Sequence, residues 1–537
     1  MAHFLTILEV SQKQAYIFSS NMLKDNVVNS AVIAWIMSPE YFSEVIGDSF
    51  DKKKTVVYSG GGHVVLEFAD RDTAKDFVMQ ITFQIHQDYP GIEVFSVTKE
   101  FTQEELDTEA GKYLKDLIAE LEKKKSVRLS SFHQGSFGIE AIDSKSLEPK
   151  LVRMDRSNEI LRDEKQKEIK ERLSPEGYNQ VDKFKDLGGS KDTSNFIAVV
   201  HIDGNAMGNR VECMYKSQKE KKLLWDEFKT HLRKFSEAID KDFKGAYEEM
   251  INEVKKNLEL NYLADLSLEG KNFPVRRIIT AGDDICFVSE GRIGIECAVS
   301  FIKALIKRVN EEDGQRYAAC AGIAIVHQKY PFYRAYELAE SLCSNAKKFG
   351  VKWSNDKMGS KISAIDWHIE FGEIGDTLSE IRQKYRAADG SRLEMRPYIV
   401  DANQIEKDSD KKKEPNCKKG TNDIPRYSEF KRQVERIQKK EFIDARGKMK
   451  ELRNILKQGQ EATKAFIQFN KMEDVMLGGM QKDMIDYDKV GTGQEQTKEL
   501  YSIVRNGLND EKTTVRSVIF DALEICDTYI GFEEDKQ

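Results

Sequence analysis

VRRIITAGDDICFV, residues 275–288, is two apolar runs of strand length broken by Ala281-Gly282-Asp283-Asp284. Strand formers on both sides of a glycine turn predict a β-hairpin with an acidic pair at its tip. Upstream, FIAVVHID (Phe196–Asp203) reads as a strand that ends in an acid and runs into Gly204 and Asn205. A helical region covers about 216–258 between them. A helix over 293–310, the strand AACAGIAIV and a helix through Lys348 follow. Strand, helix, hairpin, helix, strand is the ferredoxin-like order, an antiparallel sheet with helices on one face. In such a sheet the first strand and the hairpin are neighbours, so Asp203, Asp283 and Asp284 converge at one end.

The same order occurs nearer the N-terminus. FLTILEV (Phe4–Val10) is a strand, a helical pattern runs to Ile46, and VVYSGGGHVVLEF (Val56–Phe68) is a second glycine hairpin. A helix over 71–87 and the strand IEVFSVTKEF complete the unit. The chain therefore repeats one architecture. The expected organisation is α+β: a first unit over 1–102, a mainly helical segment over 103–190 with the irregular stretch SSFHQGSFGIE, and a second unit over 191–405. A polar, exposed linker over 406–426 and a separate C-terminal helical bundle over 427–537 follow.

With 537 residues the chain is expected to hold about three or four domains. Hydrophobic residues make up 40% and charged residues 33%, a soluble globular balance. The net charge of -7 argues against a simple electrostatic grip on duplex DNA, although 84 Lys and Arg leave room for a local basic groove. No apolar stretch is long enough for a bilayer, and MAHFLTILEVSQKQAY lacks the layout of a signal peptide, so no membrane association is expected. Seven scattered cysteines, none in a C-x-x-C pair, fit a cytoplasmic protein without a zinc knuckle or disulfide framework.

The three aspartates suit a hard cation such as Mg²⁺ or Mn²⁺, which takes one or two carboxylates plus substrate phosphates. Metal ions so held can activate a hydroxyl and stabilise a leaving pyrophosphate. Gly204 and Gly282 let backbone and phosphate approach without a Cβ. Either motif alone is ordinary turn chemistry; together, placed in a ferredoxin-like unit, they point to a site. Lys347 and Lys348 end the helix AYELAESLCSNAKKFG, where a lysine can reach phosphate or simply complement the helix dipole. Lys357 and Lys361 are weaker candidates of the same kind. Ser59, Gly60, Gly61 and Gly62 occupy the corresponding hairpin of the first unit without carboxylates, either as a nucleotide contact or as a tight turn. No His is followed directly by Asp, and there is no H-E-x-x-H, Walker A or G-x-S-x-G motif.

D-G-N-x-M-G at a strand end paired with A-G-D-D on a hairpin resembles the second palm domain of the large subunit of type III CRISPR effector complexes. AGIAIVHQKYPFYRAYELAESLCSNAKKFG, SAIDWH and the first-unit YSGGGHVVLEF are similar to the same family. The resemblance implies two palms that bind two ATP molecules, with adenylyl transfer at the second. The implied products are cyclic oligoadenylates or AMP joined to an acceptor such as S-adenosylmethionine, as an antiviral signal. It further implies Asp203, Asp283 and Asp284 as metal ligands with the Ile202 carbonyl, Lys347 on phosphate, and partner subunits carrying guide and target RNA. Three departures stand out: Asn205 replaces a second acid, Ala281-Gly282 replaces Gly-Gly, and neither an HD nuclease domain nor a zinc element is recognised. A stand-alone cyclic-nucleotide synthase and a catalytically degenerate scaffold subunit are the alternatives.

Overall fold

In the computed structural model of the chain, the described residues are 2–89, 91–127, 139, 157–189, 195–354, 361–372, 377–401, 424–439, 446–472, 500–507 and 513–533. The first unit is β1 (Ala2–Val10), α1 (Lys13–Ile17), α2 (Leu23–Ile36), α3 (Pro39–Ile46), α4 (Lys52–Thr55), β2 (Val56–Gly60), β3 (His63–Phe68), α5 (Arg71–Asp88) and β4 (Val94–Thr102). Its strands lie in the order β2-β3-β1-β4, every pair antiparallel. Two helices follow, α6 (Gln103–Ser126) and α7 (Ser157–Lys170). Most of SSFHQGSFGIE, Lys357 and 406–423 lie outside the described residues.

The second unit is β5 (Phe196–Gly204), α8 (Met207–Lys221), α9 (Trp225–Glu259), β6 (Val275–Ala281), β7 (Asp284–Glu290), α10 (Gly294–Leu305), β8 (Ala319–His327), α11 (Phe332–Trp353), β9 (Ala364–Glu370), α12 (Leu378–Gln383) and β10 (Tyr398–Ile399). Its order, β10-β9-β8-β5-β7-β6, contains the same four-strand core with two strands added beside β8. Strand β9 is parallel to β8, which is why the long crossover helix α11 lies between them.

Strand alternation divides each sheet between two cores. Ala198, Val200, Ile202, Ile285 and Phe287 pack with Phe243, Tyr247 and Met250 of α9 and Ala298 and Ile302 of α10. These are the expected ferredoxin-like helices on one face. Ile197, Val199, Cys286 and Val288 face the other way and pack with α2, α5 and α11. That second core also holds Leu8, Val64 and Leu66 of the first sheet, so one apolar layer joins the two units. Helix α9 joins them again. Its first turns put Trp225, Phe228 and Leu232 against Leu5, Ile7 and Val65, and its later turns serve the second core.

The region expected as a separate helical bundle contains α13 (Tyr427–Ile437), α14 (Arg446–Leu456), α15 (Gln460–Phe469), the antiparallel pair β11 (Tyr501–Arg505) and β12 (Thr513–Ser517), and α16 (Phe520–Ile525). It is not apart from the second unit. Phe430 packs against Trp367 and Tyr398 at ring-centroid distances of 4.7 and 5.1 Å. Glu296 of α10, 4% exposed, accepts from the hydroxyls of Tyr427 and Tyr529. One core therefore runs from α9 through the sheet to α16. No described helix is long and apolar enough to cross a membrane.

Candidate active site

The β6–β7 connection is Gly282-Asp283, a two-residue turn with Gly282 at φ +64°. A positive φ at the first central position is what a type II′ hairpin needs, and glycine supplies it without steric cost. The turn leaves Asp283 at the tip and Asp284 as the first residue of β7. Asp284 lies directly opposite Asp203 in the β5–β7 register. A Cβ on Gly204 would sit 2.9 Å from the Asp283 Cβ and 3.1 Å from its Oδ2, so only glycine lets the Asp283 side chain lie against β5. The Gly204 amide donates to the Asp283 carbonyl at 3.2 Å.

Lys347, on α11, donates from Nζ to Asp203 Oδ2 at 2.5 Å and to the Gly204 carbonyl at 2.9 Å. Burial alone would lower the ammonium pKa, but the Asp203 charge and hydrogen bond outweigh it and the net shift is upward. Both hairpin carboxyls are pushed up to about 7, chiefly by burial and then by the Asp203 charge. Glu340, two turns before Lys347 on the same helix face, adds a further negative charge against Asp284. His201, two residues before Asp203, shares its face of β5, and burial pulls its pKa down.

A divalent cation suits this donor set. Asp284 Oδ1 is buried with no hydrogen-bond partner among the described residues, and His201 Nδ1 stands off at 3.4 Å. An acceptor without a donor, beside the Asp283 carboxyl that burial and then the Asp203 charge push up, is relieved by added positive charge. Among the described residues no three His, Cys, Asp or Glu groups form a ready-made cage, so phosphate oxygens would have to complete the coordination.

Residues 196–354, from the start of β5 to the end of α11, match the family model for Cas10/Cmr2, second palm domain. This segment is thus similar to a Cas10/Cmr2 second palm domain. The solved Csm1-Csm4 cassette without ligand is similar at 13% identity and a TM-score of 0.53, over 98% of this chain and 70% of that one. The same cassette in complex with cA3 gives 13% and 0.51 over 98% and 70%, and in complex with cA4 gives 13% and 0.50 over 90% and 67%. At that identity the likeness is one of fold. No curated protein matches the chain.

Of the residues singled out from sequence, the second unit brings Asp203, Asp283, Asp284, Gly204, Gly282 and Lys347 together. Ile202 lies between Ile285 and Ala321 in the ladder with its side chain in the core below. Asn205 is turned away from the carboxylates. It is 6% exposed and its Nδ2 donates to the Ile362 carbonyl at 2.7 Å, so its amide ties the end of β5 to the segment before β9. Lys348 and Lys361 are exposed, and neither has a partner among the described residues.

In the first unit, Gly61 and Gly62 form the hairpin turn at φ +58° and +77°. Ser59 is held from outside: its Oγ donates to the Met37 carbonyl at 3.3 Å, and its own carbonyl accepts from Ser236 on α9 at 3.2 Å. The residue that connects this hairpin to the second unit is one the sequence reading did not select. Lys13 Nζ donates to the Gly61 carbonyl, and its charge counteracts the rise at Asp284. Beside it, Gln14 Nε2 donates to Tyr336 Oη at 2.9 Å and Glu340 Oε1 at 3.1 Å. The i, i+7 spacing of Glu340 and Lys347 was the available signal for Glu340. For Lys13 there was none, because its role depends on how the two units dock.

Proposed function

We propose that this chain is a metal-dependent nucleotidyltransferase that converts ATP into a signalling nucleotide, either a cyclic oligoadenylate or an AMP conjugate. On this reading it acts as the palm subunit of a type III CRISPR effector in the cytoplasm. The observation that carries the reading is the register pairing of Asp203 with Asp284, with Asp283 in the turn and Lys347 on Asp203. Asp203, Asp283 and Asp284, with the Ile202 carbonyl, would hold Mg²⁺ or Mn²⁺. Such an ion, when bound, lowers the pKa of an attacking hydroxyl and neutralises a leaving pyrophosphate.

The protein's own groups supply the rest. Lys347 exchanges its Asp203 partner for a nucleotide phosphate, a charge-assisted bond of the same kind. Gly204 and Gly282 leave room for that phosphate to approach the backbone. Ser59, Gly60, Gly61 and Gly62, with Lys13, face a second nucleotide from the first unit. The fold likeness to Csm1-Csm4 cassettes in complex with cA3 and cA4 supports this assignment, as does the second-palm match. Partner subunits with guide and target RNA would supply the trigger. An acceptor such as S-adenosylmethionine would replace the second ATP in the conjugate-forming case.

The test is product analysis by mass spectrometry. Full-length protein is incubated with ATP and Mg²⁺ or Mn²⁺, with and without S-adenosylmethionine and with and without co-purified subunits and RNA. The Asp283→Ala/Asp284→Ala variant runs beside it. A pyrophosphate-releasing product that the variant does not make is the expected outcome, and its mass names the acceptor. A second reading, a nucleotide-binding scaffold, is favoured by the absence of a ready-made metal cage among the described residues. Bound ATP with no product under any condition would establish the scaffold and overturn the transferase.

A further inference from the structure

The cleft that contains Asp203 and Lys347 does not end at the palm. It continues along the last turns of α11 to α12, the segment 390–397 and β12, with a volume of about 1580 Å³. A single small-molecule pocket is usually about 300–1,000 Å³, so there is space beyond one nucleotide. The charge of this extension is opposite to that of the chain. Eight Lys and Arg line the cleft against three lining carboxylates (Asp203, Glu340 and Glu394) and three more behind the wall that pair with Arg382 and Arg396 (Asp366, Asp521 and Glu524), an excess of two positive charges in a protein of net charge -7.

Part of that charge is built into the wall. Arg396, 1% exposed, pairs with Glu524 at 2.5 Å and lies over the Trp367 ring at 4.8 Å. Arg382, 9% exposed, pairs with Asp366 at 2.5 Å. Arg516 donates to the carbonyls of Glu394 and Met395 at 3.3 Å each. Each of these guanidiniums still has a buried N–H with no acceptor among the described residues, so the wall is short of acceptors. In front of it stand Lys348, Lys352 and Arg386, exposed, with no carboxylate partner among the described residues. Fixed cations behind and free cations in front, along a groove that opens onto acidic residues, form an electrostatic guide for an anionic chain.

We propose that this extension is a phosphate track, a binding site for a linear chain of phosphates such as a short single-stranded oligoribonucleotide carries, leading between the palm carboxylates and the C-terminal region. The assignment is independent of the transferase reading, because binding requires no reaction. Its chemistry serves two sources, the phosphodiester backbone of an oligonucleotide or a terminal 5′-triphosphate.

The experiment is fluorescence anisotropy on the full-length protein, with a 3′-labelled tetra-adenylate bearing either a 5′-hydroxyl or a 5′-triphosphate. The Lys348→Gln/Lys352→Gln/Arg386→Gln variant is compared with wild type and with Lys53→Gln/Lys54→Gln/Lys123→Gln, which removes equal charge from exposed positions elsewhere. All six lysines and arginines are exposed, so folding is preserved and is checked by melting. The cleft variant is expected to bind at least about 10-fold more weakly, with the log–log salt slope shallower by about 2, and the control to stay within about twofold. Binding of both labelled forms assigns the site to the phosphodiester backbone. Binding of the triphosphate form alone, competed by tripolyphosphate, assigns it to the terminal phosphates. Equal affinity of the cleft variant and wild type, or equal loss in the control, overturns the proposal. Asp283→Ala/Asp284→Ala is expected to retain this binding, which separates failure of the track from failure of the transferase.

Discussion

Replacing Asp283 and Asp284 with asparagine tests whether the hairpin carboxyls are held in an unfavourable state that a cation relieves. Both are pushed up to about 7 from 3.8. A carboxyl raised on folding costs nothing below about pH 4, where both states are protonated. The cost grows between pH 3.8 and 7, as the unfolded chain ionises first, and is complete above 7. Roughly three pH units at about 1.4 kcal/mol each would give about 4 kcal/mol for a fully buried group. Asp284 keeps 38% of its side-chain surface exposed and the two carboxyls share one field, so solvent screening brings the joint penalty to about 1–2 kcal/mol. The assay is thermal unfolding at pH 5 and pH 8 in chelator, repeated with Mn²⁺. At pH 8 without metal the double variant is expected to melt about 1–2 °C above wild type. The gap narrows at pH 5, and Mn²⁺ raises the wild type alone. A variant that melts at or below wild type at pH 8 in chelator, with the same gap at pH 5, refutes the reasoning.

Other expectations follow from single contacts. Glu168, 1% exposed, holds both Arg276 and Arg277 and so fixes α7 to β6. Glu168→Ala leaves Arg276 buried and unpaired and should cost about 3–5 kcal/mol in urea unfolding, and a loss under 1 kcal/mol would mean the pair is not buried as described. Gly204→Ala places a methyl 2.8 Å from Met207 Cε and 2.9 Å from Asp283 Cβ. It should leave the melting temperature within a few degrees but reduce product formation about 10–100-fold, and full activity would show that Asp283 need not lie against β5. Lys347→Met removes the cation from Asp203; ATP affinity by calorimetry should fall about 10-fold, whereas an unchanged affinity would assign Lys347 to structure alone.

Much of the second unit was legible locally. The turn Gly282-Asp283 and the apolar alternation on either side specify a hairpin by short-range sterics, and β5 with its terminal Asp203 carries the same period. The ferredoxin-like order then made Asp203 and Asp284 neighbours, which the register bears out. Asn205 marks where local reading stopped. It follows Asp203 and Gly204 in sequence, yet its amide is taken by Ile362, a partner 157 residues away. The C-terminal region differed for a related reason: amphipathic periodicity identifies an apolar face but not what covers it, and here Trp367, Tyr398 and Glu296 of the second unit do so.

The sequence by itself determined the repeated strand-helix-hairpin-helix-strand units, the glycine turns and the acidic tips, because backbone sterics and two-residue alternation act over a few positions. Only the tertiary structure decided that Lys13 reaches the first hairpin while its charge bears on Asp284, that α9 enters both cores, and that cations from α11, α12 and β12 line one cleft. Those facts depend on how separate apolar faces are buried against each other, and burial is settled by the whole chain at once rather than by any window of it.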